Sequence, residues 1–164
     1  MIAAALLLAA AGSAPMLLSG GQLDPAFDDA DVFREEPRPP AAPPGKACAL
    51  GNRYVKLVDS GQYAATAALY ADDATFLEPM RPSLHGRAQI DAFYARQIGS
   101  LRPRLRAVSL LGNGRECMVE IAREVMLDGK PRWALVSIDH FILGADGRIT
   151  SMIAYARPPR GQQK

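Results

Sequence analysis

The stretch RWALVSIDHFILGADGRITSMIAYA, residues 132–156, decides the fold. Two runs rich in β-branched and aromatic residues flank Asp146-Gly147, a pair that readily takes the positive φ a tight hairpin demands. Upstream, Asp128-Gly129 and Gly112-Asn113-Gly114 separate further runs of the same kind. Strands are therefore expected over 104–111, 116–127, 132–143 and 148–156, joined as an antiparallel meander.

Before the meander the apolar period becomes helical. From Lys46 onward, Leu50, Tyr54, Leu57 and Val58 recur at helical spacing, and Gly61 supplies a stop. Tyr63 to Ala71 reads as a short Ala-rich helix. ATFLEPM (74–80) reads as a strand whose Pro79 removes a ladder donor and leaves Glu78 at the strand end. A helix over Arg87–Ile98 carries the stripe Ile90, Phe93, Tyr94 and Ile98. Helices first and strands afterwards predict an α+β domain, with three N-terminal helices on one face of a curved antiparallel sheet.

The rest of the chain differs in kind. Seven of the 13 prolines fall in the first 45 residues, which carry a net charge of −4, whereas the remainder carries +6. The division expected is an apolar leader over 1–21, a disordered Pro-rich acidic linker over 22–45, one domain over 46–158 and a tail over 159–164. Residues 2–18 resemble the apolar region of a secretory signal, yet no Lys or Arg precedes them. Gly12, Ser13 and Pro15 interrupt them, so no stable membrane span is expected. The compartment stays open, the cytoplasm being favoured and the periplasm or secretion following if residues 1–21 act as a signal.

Several function classes are excluded or disfavoured. Arg102, Arg104 and Arg106 lack interleaved aromatics and read as a solvated strand face, so nucleic acid is not an expected partner. His85 and His140 do not form metal-ligand spacing and no phosphate-binding Gly loop occurs, so neither metal nor other cofactor is expected. Cys48 and Cys117 read as two separate buried thiols in preference to a disulfide.

In the third meander strand, alternation places Trp133, Leu135, Ser137, Asp139, Phe141 and Leu143 on one face. An isolated ionised carboxylate at Asp139 would cost several kcal/mol there. Asp139 is either protonated or partnered, and a structural hydrogen bond to a nearby hydroxyl is the plain alternative. Tyr54 reads equally as a core tyrosine, and Glu78 as a solvated strand-end acid.

Four segments change that balance: RYVKLVDSGQY (53–63), LYADDATFLEP (69–79), LHGRAQIDAFYARQ (84–97) and SIDHFILGADGRITSMIAY (137–155). Together they resemble the bacterial ketosteroid isomerases, in the superfamily of nuclear transport factor 2 and the SnoaL-like cyclases. The resemblance implies a cone-shaped α+β fold and a homodimer. It also implies an isomerase that moves a β,γ double bond into conjugation with a ketone, acting on a small, apolar, steroid-like substrate without a cofactor. Carried over by position, the oxyanion-hole donors fall on Tyr54 and Asp139, the acid kept neutral by its apolar site in that family. The base falls on Glu78, where the family has aspartate before proline. Tyr70 and Tyr94 match tyrosines that hydrogen-bond with the oxyanion tyrosine. Trp133, Leu135 and Phe141, on the Asp139 face, are the expected substrate-binding residues.

The same scaffold also suits a cyclase, a dehydratase, an epoxide hydrolase or a noncatalytic binding module. An epoxide hydrolase would want an arginine between carboxylates. Arg123 interrupts the apolar row Cys117, Val119, Ile121 and Val125, and its pairing with Asp139 would favour that alternative.

Overall fold

The computed structural model describes Pro37, residues 45–78 and residues 82–156. The leader, the linker apart from Pro37 and Gly45, Pro79 and the 159–164 tail lie outside the described residues. Helix α1 spans Lys46–Asp59 and α2 Tyr63–Ala67; strands β1 (Tyr70–Leu77) and β2 (Leu84–His85) follow. Helix α3 (Arg87–Phe93) continues through a π-helical turn, Tyr94–Ile98, into a last α-helical turn, Gly99–Leu101. Strands β3 (Leu105–Gly112), β4 (Glu116–Leu127), β5 (Lys130–Leu143) and β6 (Ile149–Ala156) complete the chain.

The meander forms as its hairpin signals require, with β3, β4, β5 and β6 paired antiparallel in sequence order. Beyond β6 the sheet departs from the expected purely antiparallel form. Its order is β2-β1-β6-β5-β4-β3, and β1 runs parallel to β6, so the six-stranded sheet is mixed. That pairing also makes α2 shorter than expected. The Ala-rich context of Tyr70 and Ala71 favours a helix, but Tyr70 pairs with Ile149, whose N–H donates to the Leu69 carbonyl at 2.9 Å. Long-range strand pairing overrides weak local propensity here.

Helix α1 lies across the inner face because Ala47, Cys48, Gly51, Tyr54, Val55 and Val58 are its buried side. At its C-terminal end Asp59 accepts hydrogen bonds from the Leu105 N–H at 2.9 Å and the Arg104 Nε at 3.0 Å, fastening the helix to the start of β3. At its other end a Cys48–Cys117 disulfide joins α1 to β4 across 69 positions. The reading of separate thiols is thereby corrected: both cysteines belong to buried faces that meet, a juxtaposition invisible in their spacing.

One irregularity decides which residues face inward. Ile121 of β4 lies opposite Ser137, but the next residue, Ala122, lies opposite Leu135, leaving Val136 as a bulge. The bulge shifts the alternation of β5, so Leu135 and Trp133 turn to the face opposite Asp139. Trp133 is covered there by the Arg106 guanidinium, 5.1 Å from its ring centroid. The expectation that Trp133 and Leu135 share the Asp139 face is corrected accordingly.

Candidate active site

Between the helices and the inner face of the sheet lies an apolar cavity of about 250 Å³. Tyr54 from α1, Glu78 after β1, Tyr94 from the π-helical turn and Asp139 from β5 all line it. Phe76, Phe93, Ile121 and Met152 supply much of its hydrocarbon wall. Phe141 does not line the cavity; its ring backs Tyr54, with centroids 4.9 Å apart. Trp133 and Leu135 are also absent from the lining, as the bulge requires. Ser137 and Val136 occupy the inner positions instead. Strand alternation points to Ser137 through its parity with Asp139, whereas nothing in the sequence marks the bulge at Val136.

The tyrosines form a buried hydroxyl chain. Tyr94 donates to the Tyr54 hydroxyl at 2.8 Å, and the Tyr70 hydroxyl lies 3.1 Å from that of Tyr94. Tyr70 also reaches the Met152 sulfur at 3.1 Å. A phenol has one proton and accepts through its oxygen. With Tyr94 spending its proton on Tyr54, the Tyr54 proton is left to donate elsewhere. Burial, first, pushes the pKa of all three phenols well above the ordinary tyrosine range; for Tyr54, Tyr70 and then Asp139 add to the effect while the bond from Tyr94 opposes it. They remain donors at any physiological pH. The Met152 contact has no signal in the sequence, where methionine reads simply as core.

Asp139 is 4% exposed. Its pKa rises from 3.8 to about 7, chiefly because burial penalises the carboxylate; hydrogen bonding with Ser137 opposes the shift and the Glu78 charge adds to it. Among the described residues its Oδ1 has no hydrogen-bond partner. A buried oxygen in that state is costly unless something in the cavity meets it. Arg123 lines the same cavity, but the Asp139 shift is upward, opposite to what an ion pair with arginine would impose. Half-buried Glu78 lies just beyond the end of β1 and lines the cavity with the two donors. The Glu78 carboxyl, the Tyr54 phenol and the Asp139 carboxyl thus line one apolar space, and burial favours the protonated form of Asp139, which can donate to an oxygen there.

Among the described residues no group of three or more His, Cys, Asp or Glu side chains is placed to hold a metal ion.

Residues 52–152 match the family of SnoaL-like domains. Over 108 residues the chain is 35% identical to a protein named steroid Delta-isomerase from Nocardioides simplex, a match covering 65% of this chain and 85% of that relative. Among solved structures the fold is similar to that of SalBIII, an epoxide hydrolase/cyclase-like enzyme with a role in pyran ring formation in the polyether salinomycin. The TM-score is 0.55 at 20% identity, covering 66% of this chain and 88% of that one. The second likeness concerns the fold alone.

Proposed function

The chain belongs to the SnoaL-like family, and from that premise we propose that it is an isomerase of the ketosteroid type. The observation that carries this reading is the convergence of Tyr54, Glu78 and Asp139 on one apolar cavity. The 35% identity to a steroid Delta-isomerase supports the same chemistry and a small, apolar, steroid-like ketone as its substrate.

In the proposed reaction the Glu78 carboxylate takes a proton from the carbon between the carbonyl and the β,γ double bond. The C–H electrons form a new double bond toward the carbonyl carbon, and the carbonyl oxygen gains negative charge. Tyr54 and neutral Asp139 each donate a hydrogen bond to that oxygen, stabilising charge where it develops in a site shielded from water. The proton held on Glu78 then returns to the γ-carbon, giving the conjugated ketone and restoring the carboxylate. No group enters or leaves. The hydroxyl chain through Tyr94 keeps the Tyr54 proton directed to substrate.

A homodimer formed through the outer face of the sheet is part of the proposal. Met118, Ile138 and Tyr155 are 42%, 42% and 51% exposed on that face, a concentration of apolar surface that a second copy would cover.

A second reading, epoxide-hydrolase or cyclase chemistry, is favoured by Arg123 lining the cavity with two carboxyl groups. It needs Asp139 ionised, whereas burial favours the neutral acid.

The test is ultraviolet detection of the conjugated enone formed from a β,γ-unsaturated 3-ketosteroid. Glu78→Gln is expected to reduce the rate by roughly 10²- to 10⁴-fold, the usual contribution of a positioned base. A wild-type rate no higher than that of Glu78→Gln would overturn the reading.

A further inference from the structure

The Cys48–Cys117 disulfide lies close to the group that must aim most accurately. Cys48 and Tyr54 belong to the same buried side of α1, six residues or roughly 9 Å apart along the axis. Gly51, between them, approaches the sheet so closely that an added Cβ would stand 2.8 Å from a Val119 methyl and 3.3 Å from the Phe141 ring. Cys117 is paired in register with Phe141, and Phe141 packs edge-on against Tyr54 at 4.9 Å. A continuous contact path therefore runs from the disulfide through the floor of the sheet to the Tyr54 ring.

We propose that the Cys48–Cys117 disulfide is a positioning device for Tyr54, fixing the axial placement of α1 on the sheet so that full activity requires the oxidised chain. This rests on the reading of Tyr54 as an oxyanion donor. Each cysteine is only 1% exposed, and Gly112 of β3 closes over the bridge, an added Cβ there lying 2.9 Å from the Cys48 sulfur. The bond is thus shielded from reductants once formed. Its formation belongs to an oxidising compartment, where such bonds persist.

The mechanism is geometric. Without the bond, α1 is held at its far end by Asp59 and along its length by apolar contact, which resists separation more strongly than sliding. A displacement near 1 Å at a catalytic donor costs up to about 100-fold in rate. Because the loss is of aim toward the developing charge, it belongs in kcat and spares the apolar contacts that govern KM.

The experiment compares wild type, the double variant Cys48→Ala/Cys117→Ala, and both in a Tyr54→Phe background, below the melting temperature of each. The double variant is expected to lose about 10-fold in kcat with KM unchanged within twofold, and to lose less than twofold once Tyr54 is already phenylalanine. A folded double variant with wild-type kcat would overturn the proposal, as would an equal loss in the Tyr54→Phe background. If the double variant does not fold, wild type unfolded in urea, reduced with a phosphine and refolded with or without reoxidation supplies the same comparison, since the bond is shielded in the folded chain.

A second readout does not depend on isomerase activity. 4-Nitrophenolate presents an anionic oxygen to the cavity, and its absorption reports the hydrogen bonds it receives. The absorption shift on binding is expected to shrink on loss of the disulfide and on Tyr54→Phe, without adding in the combined variant. If that pattern appears in a protein that fails to turn over the ketosteroid, the proposed reaction falls and the positioning role stands. A shift insensitive to the disulfide overturns the positioning role, whatever the turnover.

Discussion

At Asp139 the decisive quantity is the cost of ionising a carboxyl that is 4% exposed. Its folded pKa of about 7 exceeds the unfolded value of about 3.9, so the fold favours the proton-bound form. Below pH 4 both states hold the proton. Between pH 4 and 7 only the folded state does, so the unfolded state gains from ionising and stability falls with rising pH, by about 4 kcal/mol across the window. The loss continues through pH 7 and is complete by about pH 8. Asp139→Asn removes this dependence. Urea denaturation of the two proteins from pH 4 to 8.5 is expected to show the variant gaining on wild type as pH rises, whereas parallel curves would contradict the buried neutral acid. The same ionisation predicts that wild-type kcat declines above pH 7, because an ionised Asp139 cannot donate. Tyr54, Glu78, Asp139, Tyr70 and Tyr94 are legible as a set from the sequence alone, since each stands in a segment with family character. The facing of Trp133 and Leu135 is not legible in that way, because it depends on one bulged residue, Val136, that has no distinguishing chemistry.

At the scale of elements, α1 presents two opposing expectations that a single substitution separates. Helix propensity says that Gly51→Ala should stabilise the chain by up to about 1 kcal/mol. The sheet says the reverse, because the new methyl would lie 2.8 Å from a Val119 side chain. Overpacking of this kind costs roughly 1–3 kcal/mol, and Gly51→Ala is expected to lower the urea midpoint with an unchanged slope. A higher midpoint would contradict the close seating of α1 on the sheet at Gly51. The disulfide holds the same helix, and closing a loop of 69 positions is worth about 4 kcal/mol in the chain-entropy account. Helix periodicity reveals α1, and Asp-Gly turns reveal the hairpins, because those signals are local. The parallel contact of β1 with β6 and the meeting of Cys48 with Cys117 join distant parts of the chain, and such pairings leave no trace in spacing.

For the molecule as a whole, the basic part of the chain after residue 45 carries every candidate catalytic group, and Tyr54, Glu78 and Asp139 meet in the cavity between the helices and the inner face of the sheet. The α+β class and the helices-then-meander order are readable from the chain; the mixed character of the sheet is not, because it arises from the long-range pairing of β1 with β6. The outer face leads to a further expectation. Ile138→Asp is expected to turn a dimer into a monomer in sedimentation experiments, while a wild type that sediments as a monomer at high concentration would remove the proposed role of that face. In the proposed reaction Glu78 moves one proton between two carbons of a ketone held by Tyr54 and Asp139. The most direct measurement places deuterium on the carbon between the carbonyl and the double bond and locates the label in the product by NMR. Conjugated product with label at the γ-carbon, formed much more slowly by Glu78→Gln, is the expected result. Product formed at an equal rate by that variant, or carrying no label at the γ-carbon, would contradict it.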